Sequence, residues 1–147
     1  MASRLGALDR FNALIAASPF DYMRQSAVFA CDCLPDPASG MPAYCKMLSS
    51  FIENLVAVTH GRALVLFTSY EMMNEVASRI RPALDAMEIE LLVQGEGLSR
   101  EAMAERLRRH DATVLLGAQS FWEGVDIAGD ALSLVIIARL PHTFASA

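Results

Sequence analysis

The segment 120–126 holds the residue types in this chain that are best suited to chemistry. In seven residues it places a hydroxyl, two aromatic rings, two carboxylates and a glycine. Glycine lets backbone approach a ligand closely, a carboxylate can accept hydrogen bonds from sugar hydroxyls, and an aromatic ring can stack on a base. A structural explanation is equally open, in which Phe121 and Trp122 belong to the core and the acids are solvated.

The position of this segment along the chain favours a binding role. It follows the apolar run 112–116, which predicts a buried strand. Ligands of open α/β sheets bind outside the carboxyl ends of the strands. The segment is therefore the first place in the sequence to look for a function.

A second candidate site is formed by Thr68, Ser69 and Tyr70, where the apolar run 63–67 gives way to a helical pattern. Hydroxyls and free N–H groups at the start of a helix can hold an anion or a phosphate. Thr68 and Glu71 also have the spacing of a capping box, which would satisfy those groups within the chain. The residues alone leave both explanations open.

The turn 94–97 begins like a dinucleotide-binding fingerprint, because Gly95 and Gly97 lie between a predicted strand and a predicted helix. The third glycine of that fingerprint is missing, and no acidic residue ends the following strand to hold a ribose. A tight turn therefore explains the two glycines better than an NAD site does.

The cysteines and the single lysine exclude other classes of site. A Walker A loop needs Gly-Lys before Ser or Thr, whereas the only lysine, Lys46, follows Cys45. The sequence also contains no G-x-S-x-G nucleophile motif. Cys31, Cys33 and Cys45 form no Cys-x-x-Cys pair, so they predict reduced thiols, a cytoplasmic setting and no metal site.

Composition narrows the possible partners. The net charge of −5 argues against a broad basic surface for nucleic acid, although a narrow track of backbone N–H groups, hydroxyls and a few arginines stays possible. Arg108 and Arg109 lie three and four residues after Glu105, which predicts ion pairs on a solvated helix face. No apolar run approaches the roughly 20 residues that span a bilayer, so no membrane partner is expected.

The order of the predicted elements indicates an α/β fold with a mainly parallel central sheet flanked by helices. The length of 147 residues fits one domain, 1–147, with an entry segment at 1–26. The helix that opens at Thr68 is expected to bend or end at Pro82. The other predicted helices are 5–15, 42–59 and 99–110, and the predicted strands are 27–31, 63–67, 89–93, 112–116 and 132–137.

Several stretches, in this order, resemble the second motor domain of DinG-type helicases, in the XPD-like branch of helicase superfamily 2. These stretches are 64–70, 94–95, 120–126, 129–132 and 135–141. Residues 18–22 and 34–37 resemble the entry to the same domain. The resemblance covers nearly the whole chain and implies a RecA-like three-layer fold.

The resemblance also implies roles for the candidate residues, because these helicases close two RecA-like domains on ATP and move along single-stranded DNA. Segment 120–126 matches motif V of the family, which touches DNA through its early residues and ATP through its later ones. The residues expected to contact DNA are Thr68 and Ser69 in motif IV, Gln94, Ser120 and Trp122. Those expected on the nucleotide side are Glu123, Gly124 and Asp126.

The parts of the family pattern that this sequence lacks limit the expectation. The first motor domain, with its phosphate loop, its Mg-binding acids and a possible iron–sulfur cluster, is not in the sequence, and motif VI with its arginine finger should begin beyond Ala147. ATP and Mg are therefore expected in the full-length protein only, and this chain alone is expected to be inactive. The rival hypothesis is a free-standing binding or regulatory module that keeps the fold without the motor.

Overall fold

The computed structural model describes residues 18, 21–36, 40–110, 112–127 and 129–140. The chain divides into two compact units, Met1–Asp32 and Cys33–Ala147. The helix predicted at 5–15 and most of the entry segment lie outside the described residues.

The described part of the first unit contains one short helix, α1 (Tyr22–Gln25). The strand predicted at 27–31 is wrong: these residues are in no helix or strand, and Val28 and Phe29 are 95% and 89% exposed. An apolar run becomes a strand only when a neighbouring strand takes up its backbone N–H and C=O groups. No sheet pairing involves residues 27–31 in the described part of the chain.

The second unit is an α/β domain with the RecA-like arrangement. The four strands formed by its described residues are all parallel and lie in the order β2-β3-β1-β4. The elements in chain order are α2 (Met41–Thr59), β1 (Ala63–Leu66), α3 (Tyr70–Ala86), β2 (Glu90–Val93), α4 (Arg100–Arg109), β3 (Thr113–Gly117) and β4 (Leu134–Ile137). The parallel sheet and the three flanking helices confirm the predicted fold class, and each lies within a few residues of its predicted position.

The strand order explains why the helices lie on opposite faces of the sheet. From β1 to β2 the chain crosses the sheet in one direction, and from β2 to β3 it returns. Right-handed crossovers that run in opposite directions must cover opposite faces. Accordingly, α3 packs with α2 on one face and α4 packs on the other.

Alternation along the strands supplies both faces with apolar side chains, since successive residues of a strand point to opposite sides. Val65 and Phe67 of the β1 region enter the larger core, under α2 and α3. Leu64 and Leu66 enter the smaller core, which also contains Leu92, Met103, Leu107, Leu115 and Phe121. Burial on both faces is why these strands appear in the sequence as continuous apolar runs.

The start of α3 differs from the predicted capping box. The N-cap is Ser69, whose hydroxyl accepts a hydrogen bond from the Met72 backbone N–H at 3.3 Å. The helix also continues past Pro82 to Ala86. Pro82 lies on the exposed side of the helix, where water can bond the carbonyl that the proline leaves without a partner.

The turn between α2 and β1 requires glycine. His60, Gly61 and Arg62 all have positive φ, at 53°, 86° and 50°. A Cβ on Gly61 would lie 2.5 Å from the Thr113 backbone nitrogen. This close approach packs the turn against the start of β3, at the end of the sheet opposite the candidate site.

Candidate functional site

The candidate residues meet at one end of the sheet. Thr68 and Ser69 follow β1, Gln94 follows β2, and Ser120 follows β3. Because the strands are parallel and β3 lies between β2 and β1, the three turns leave the sheet side by side. We call the surface formed by residues 68–70, 94 and 118–126 the site rim.

Gln94 joins the three turns of the site rim. Its side-chain nitrogen donates to the hydroxyls of Tyr70 at 2.7 Å and Ser120 at 2.8 Å. Its side-chain oxygen accepts from the Ala118 backbone N–H at 2.7 Å. The structure therefore brings Gln94 and Ser120 together, and it adds Tyr70, to which the sequence assigned no separate role.

Ser69 and Thr68 lie immediately before the first turn of α3. Ser69 is exposed and uses its hydroxyl as a cap acceptor, so the helix is capped here by Ser69 rather than by the predicted Thr68–Glu71 pair. Thr68 is half-buried. Contact of either residue with DNA stays a prediction.

The two aromatic residues of segment 120–126 hold the segment on the sheet. Phe121 is 2% exposed and belongs to the smaller core. Trp122 is half-buried against the same core, and its indole N–H donates to the Phe67 carbonyl at 2.9 Å. The core explanation therefore holds fully for Phe121 and partly for Trp122, and stacking of Trp122 on a base stays a prediction.

Gly117 explains how Phe121 turns back onto the sheet. A Cβ on Gly117 would lie 2.6 Å from both Cβ and Cγ of Phe121. Only glycine at the end of β3 leaves room for the ring.

Glu123, Gly124 and Asp126 form the outer part of the site rim. Both acids are exposed, whereas their backbone carbonyls are held by α4. Arg100 donates to the Glu123 carbonyl, and Arg108 donates twice to the Asp126 carbonyl, at 2.8 and 3.2 Å. The loop is thus fixed through its backbone and its two carboxylates face solvent.

Gly124 and the Arg100 side chain fit together. Gly124 has φ of 68°, and a Cβ there would approach Arg100 Nη2 to 2.9 Å. The Arg100 guanidinium also lies 5.8 Å from the centre of the Phe121 ring, within range of a cation–π contact. Spacing along the helix gave no signal for this role, because the partners are backbone atoms far away in sequence.

The other arginines of α4 are paired with carboxylates. Glu105 bonds Arg108 at 3.1 Å and Arg109 at 2.6 Å, as the spacing predicted, and hydrogen bonds from these two arginines lower the pKa of its carboxyl. Arg106 pairs with Glu90 at 3.2 Å across to β2. These arginines are therefore engaged in ion pairs and do not form a free basic patch.

The turn 94–97 is a tight turn, as expected. Gly95 and Gly97 have φ of 99° and 90°, a conformation that glycine adopts readily. Arg81 of α3 holds this turn through both carboxylate oxygens of Glu96, at 2.7 and 2.9 Å.

An open groove of about 560 Å³ lies beside Ser69, between the first turns of α2 and α3. Glu71 and Glu75 line it, so it is poorly suited to phosphate. Cys45 also lines it, and burial, together with the nearby Glu75, raises the pKa of this thiol. Among the described residues, no cluster of His, Cys, Asp or Glu could hold a metal ion, and no helix could cross a membrane.

Comparison with known proteins agrees with the fold. Residues 52–146 match the model of the helicase C-terminal domain family. This match covers more than half of the chain, and the chain therefore belongs to that family. It includes every candidate residue from Thr68 to Asp126.

The chain is also similar to several bacterial proteins. It is 36% identical over 141 residues to the ATP-dependent DNA helicase YoaA of Escherichia coli, covering 96% of this chain and 21% of the relative. It is 33% identical to the 3'-5' exonuclease DinG of Bacillus subtilis, with coverages of 96% and 16%. The ATP-dependent DNA helicase DinG of Photobacterium profundum is 34% identical, with coverages of 91% and 19%.

These relatives are much longer than this chain, which spans about a fifth of their length or less. No solved structure is significantly similar to it. The match to the family model and the similarity to these relatives establish that the chain is a DinG-type helicase C-terminal domain.

Proposed function

We propose that this chain is the second motor domain of an ATP-dependent DNA helicase that acts in the cytoplasm in DNA repair or replication. One observation supports this most. The turn that holds Thr68 and Ser69 and the loop 120–126 leave neighbouring strands, β1 and β3, at the same end of the sheet. A single strand of DNA and a nucleotide could then both bind to one continuous surface.

In this proposal the site rim has two parts. The inner part follows the strand ends and contacts DNA, and the outer part, held by α4, faces a nucleotide. When bound, ATP would supply the free energy that closes this domain on a first motor domain elsewhere in the parent protein, where Mg and any iron–sulfur cluster would also reside. The proposed DNA contacts are Thr68, Ser69, Gln94, Ser120 and Trp122, and the proposed nucleotide contacts are Glu123, Gly124 and Asp126.

The isolated chain should not hydrolyse ATP. Its sequence has no Gly-Lys phosphate loop. The arginine finger, which speeds phosphoryl transfer about 10³–10⁵-fold, is expected from motif VI, and the motifs identified in this sequence are IV and V. Phosphate release is the measurement. ATP turnover by the pure chain would contradict the proposed division of labour, and a parent gene without a phosphate-loop domain would favour the free-standing module.

Binding of single-stranded DNA can be tested at Ser69 with a matched control. Ser99 caps α4 just as Ser69 caps α3, accepting from the Ala102 N–H at 3.1 Å. Ser69→Ala and Ser99→Ala should each cost about 1 kcal/mol of stability. Only Ser69→Ala should weaken the binding of oligo(dT) in calorimetric titration. Equal affinities of the two variants would remove Ser69 from the DNA contacts.

A further inference from the structure

The orientation of the Gln94 side chain is determined by its partners. The Ala118 backbone N–H can only donate, so the atom that faces it at 2.7 Å must be the amide oxygen. The amide nitrogen must then face the two hydroxyls, at 2.7 and 2.8 Å. Both of its hydrogens are used in these bonds.

This orientation decides which way the hydroxyls can act. The oxygens of Tyr70 and Ser120 each accept a hydrogen bond from Gln94, so neither needs to point its own hydrogen at Gln94. Each hydroxyl keeps one O–H donor that can turn outward. Two oxygens bonded to the two hydrogens of one amide lie about 5 Å apart, close enough for both to donate to one ligand group.

The ligand that suits this pair of hydroxyl donors is one that carries a hydrogen-bond acceptor and can reach the site rim. Tyr70 is 49% exposed and Ser120 is also exposed, so both can be reached. Several arginines in the neighbourhood are already engaged: Arg81 by Glu96, Arg100 by the Glu123 carbonyl and Arg108 by Glu105 and Asp126. A non-bridging phosphate oxygen of a nucleic-acid strand accepts such donors without a cation from the protein.

We infer that Gln94 is a positioning residue that orients the Tyr70 and Ser120 hydroxyls toward a phosphodiester of the bound strand, and that Tyr70 is a backbone contact of that strand. The inference rests on the proposed function, because it assumes that the site rim binds single-stranded DNA. It changes the role of Gln94 from a direct contact to one that acts through two neighbours. It also makes binding only weakly salt-dependent, since neutral donors release few counterions.

The hydrogen-bond arrangement can be tested without any ligand. In ¹⁵N-labelled chain, Tyr70→Phe should move one of the two Gln94 side-chain proton resonances, and Ser120→Ala should move the other. Ser78→Ala is the control, because its hydroxyl bonds the Glu75 carbonyl within α3. Gln94 resonances that do not respond to either rim variant would overturn the inference.

The DNA contact is tested by calorimetric titration with oligo(dT). Tyr70→Phe and Ser120→Ala should each weaken binding about two- to tenfold, the usual value of one hydrogen bond. Ser78→Ala should leave the affinity unchanged. Wild-type affinity in Tyr70→Phe would overturn the inference and leave the proposed function standing. No binding by the wild type would remove both.

Gln94→Glu separates positioning from direct contact. The substitution keeps an oxygen toward the Ala118 N–H, but its second oxygen only accepts, so both hydroxyls would donate inward. The loss should equal that of the Tyr70→Phe/Ser120→Ala pair, measured at about 1 M salt, where a Debye length of about 3 Å screens the added charge from the phosphate. Added to that pair, Gln94→Glu should cost nothing more. A further loss would show that Gln94 touches the strand itself and would overturn its positioning role.

Discussion

The two faces of the sheet are covered by different kinds of structure. On one face, α2 and α3 close a larger core of interlocking apolar side chains, including Leu48, Ile52 and Ile80. On the other face, α4 shares the cover with the irregular connection from β3 to β4, which adds Phe121, Trp122, Val125, Ile127 and Leu132. The second face has fewer buried side chains and more polar anchors.

The two faces differ in how their covers satisfy the backbone hydrogen-bonding groups. The regular helices over the larger core satisfy most of their own backbone groups. The irregular connection cannot do so, and it borrows partners: the Phe67 carbonyl for Trp122, and Arg100 and Arg108 for its own carbonyls. The candidate residues of segment 120–126 lie on this second face, where shape is set by a few specific contacts.

Removing one leucine from each core should give the largest and most direct contrast. Leu48→Ala in the larger core should cost about 4 kcal/mol, and Leu107→Ala in the smaller core about 2–3 kcal/mol, because an irregular cover can collapse into the cavity. Both side chains are buried, at 1% and 0% exposed. Urea denaturation followed by circular dichroism measures the difference. An equal or larger loss at Leu107 would mean that the irregular cover is at least as rigid as the helical one.

Adding one methyl group at the end of β3 should give the next largest effect. Gly117→Ala places a Cβ against the Phe121 ring, and overpacking of this kind costs about 1–3 kcal/mol. Gly40→Ala is the control: its Cβ would make only an ordinary contact at 3.8 Å, and as the N-cap of α2 it should cost less than about 1 kcal/mol. Equal stabilities of the two variants in urea would show that the connection yields without cost.

Protonation of Glu105 should give the smallest effect. The pKa of this carboxyl is lowered in the folded state by Arg108 and Arg109, so its stabilising contribution is complete above the unfolded value of about 4.3 and is lost as pH falls through the folded value. Glu105→Gln should therefore melt below the wild type at pH 7, and the gap should close in acid. Glu53→Gln, on α2, is the control. A gap that persists at low pH would show that the ion pairs are not its cause.

The sequence predicted the parts of the fold that depend on local pattern. The runs 63–67 and 112–116 are continuous and apolar because β1 and β3 are buried on both faces. The helix α2 follows the spacing of Tyr44, Leu48 and Ile52, all buried. The strand predicted at 27–31 shows the limit of this reasoning, since a run of apolar residues carries no information about a pairing partner.

The site was predictable as a set of turns but not as a set of contacts. Strand ends with hydroxyls and acids predicted that these turns lie at one end of the sheet, and they do. The anchors join residues far apart in sequence: Gln94 and Tyr70 are 24 positions apart, and Trp122 and Phe67 are 55 apart. Only the strand order β2-β3-β1-β4 brings these pairs together, and no local pattern encodes it.

Trp122 has a practical consequence for anyone who studies this domain. It is the only tryptophan in the chain, and its ring lies half-buried at the junction between the inner and outer parts of the site rim. The tryptophan fluorescence of the chain therefore comes from that junction alone. Its emission maximum and intensity will shift if the indole N–H exchanges the Phe67 carbonyl for water. Trp122 fluorescence can therefore report ligand binding at the site rim without an added label.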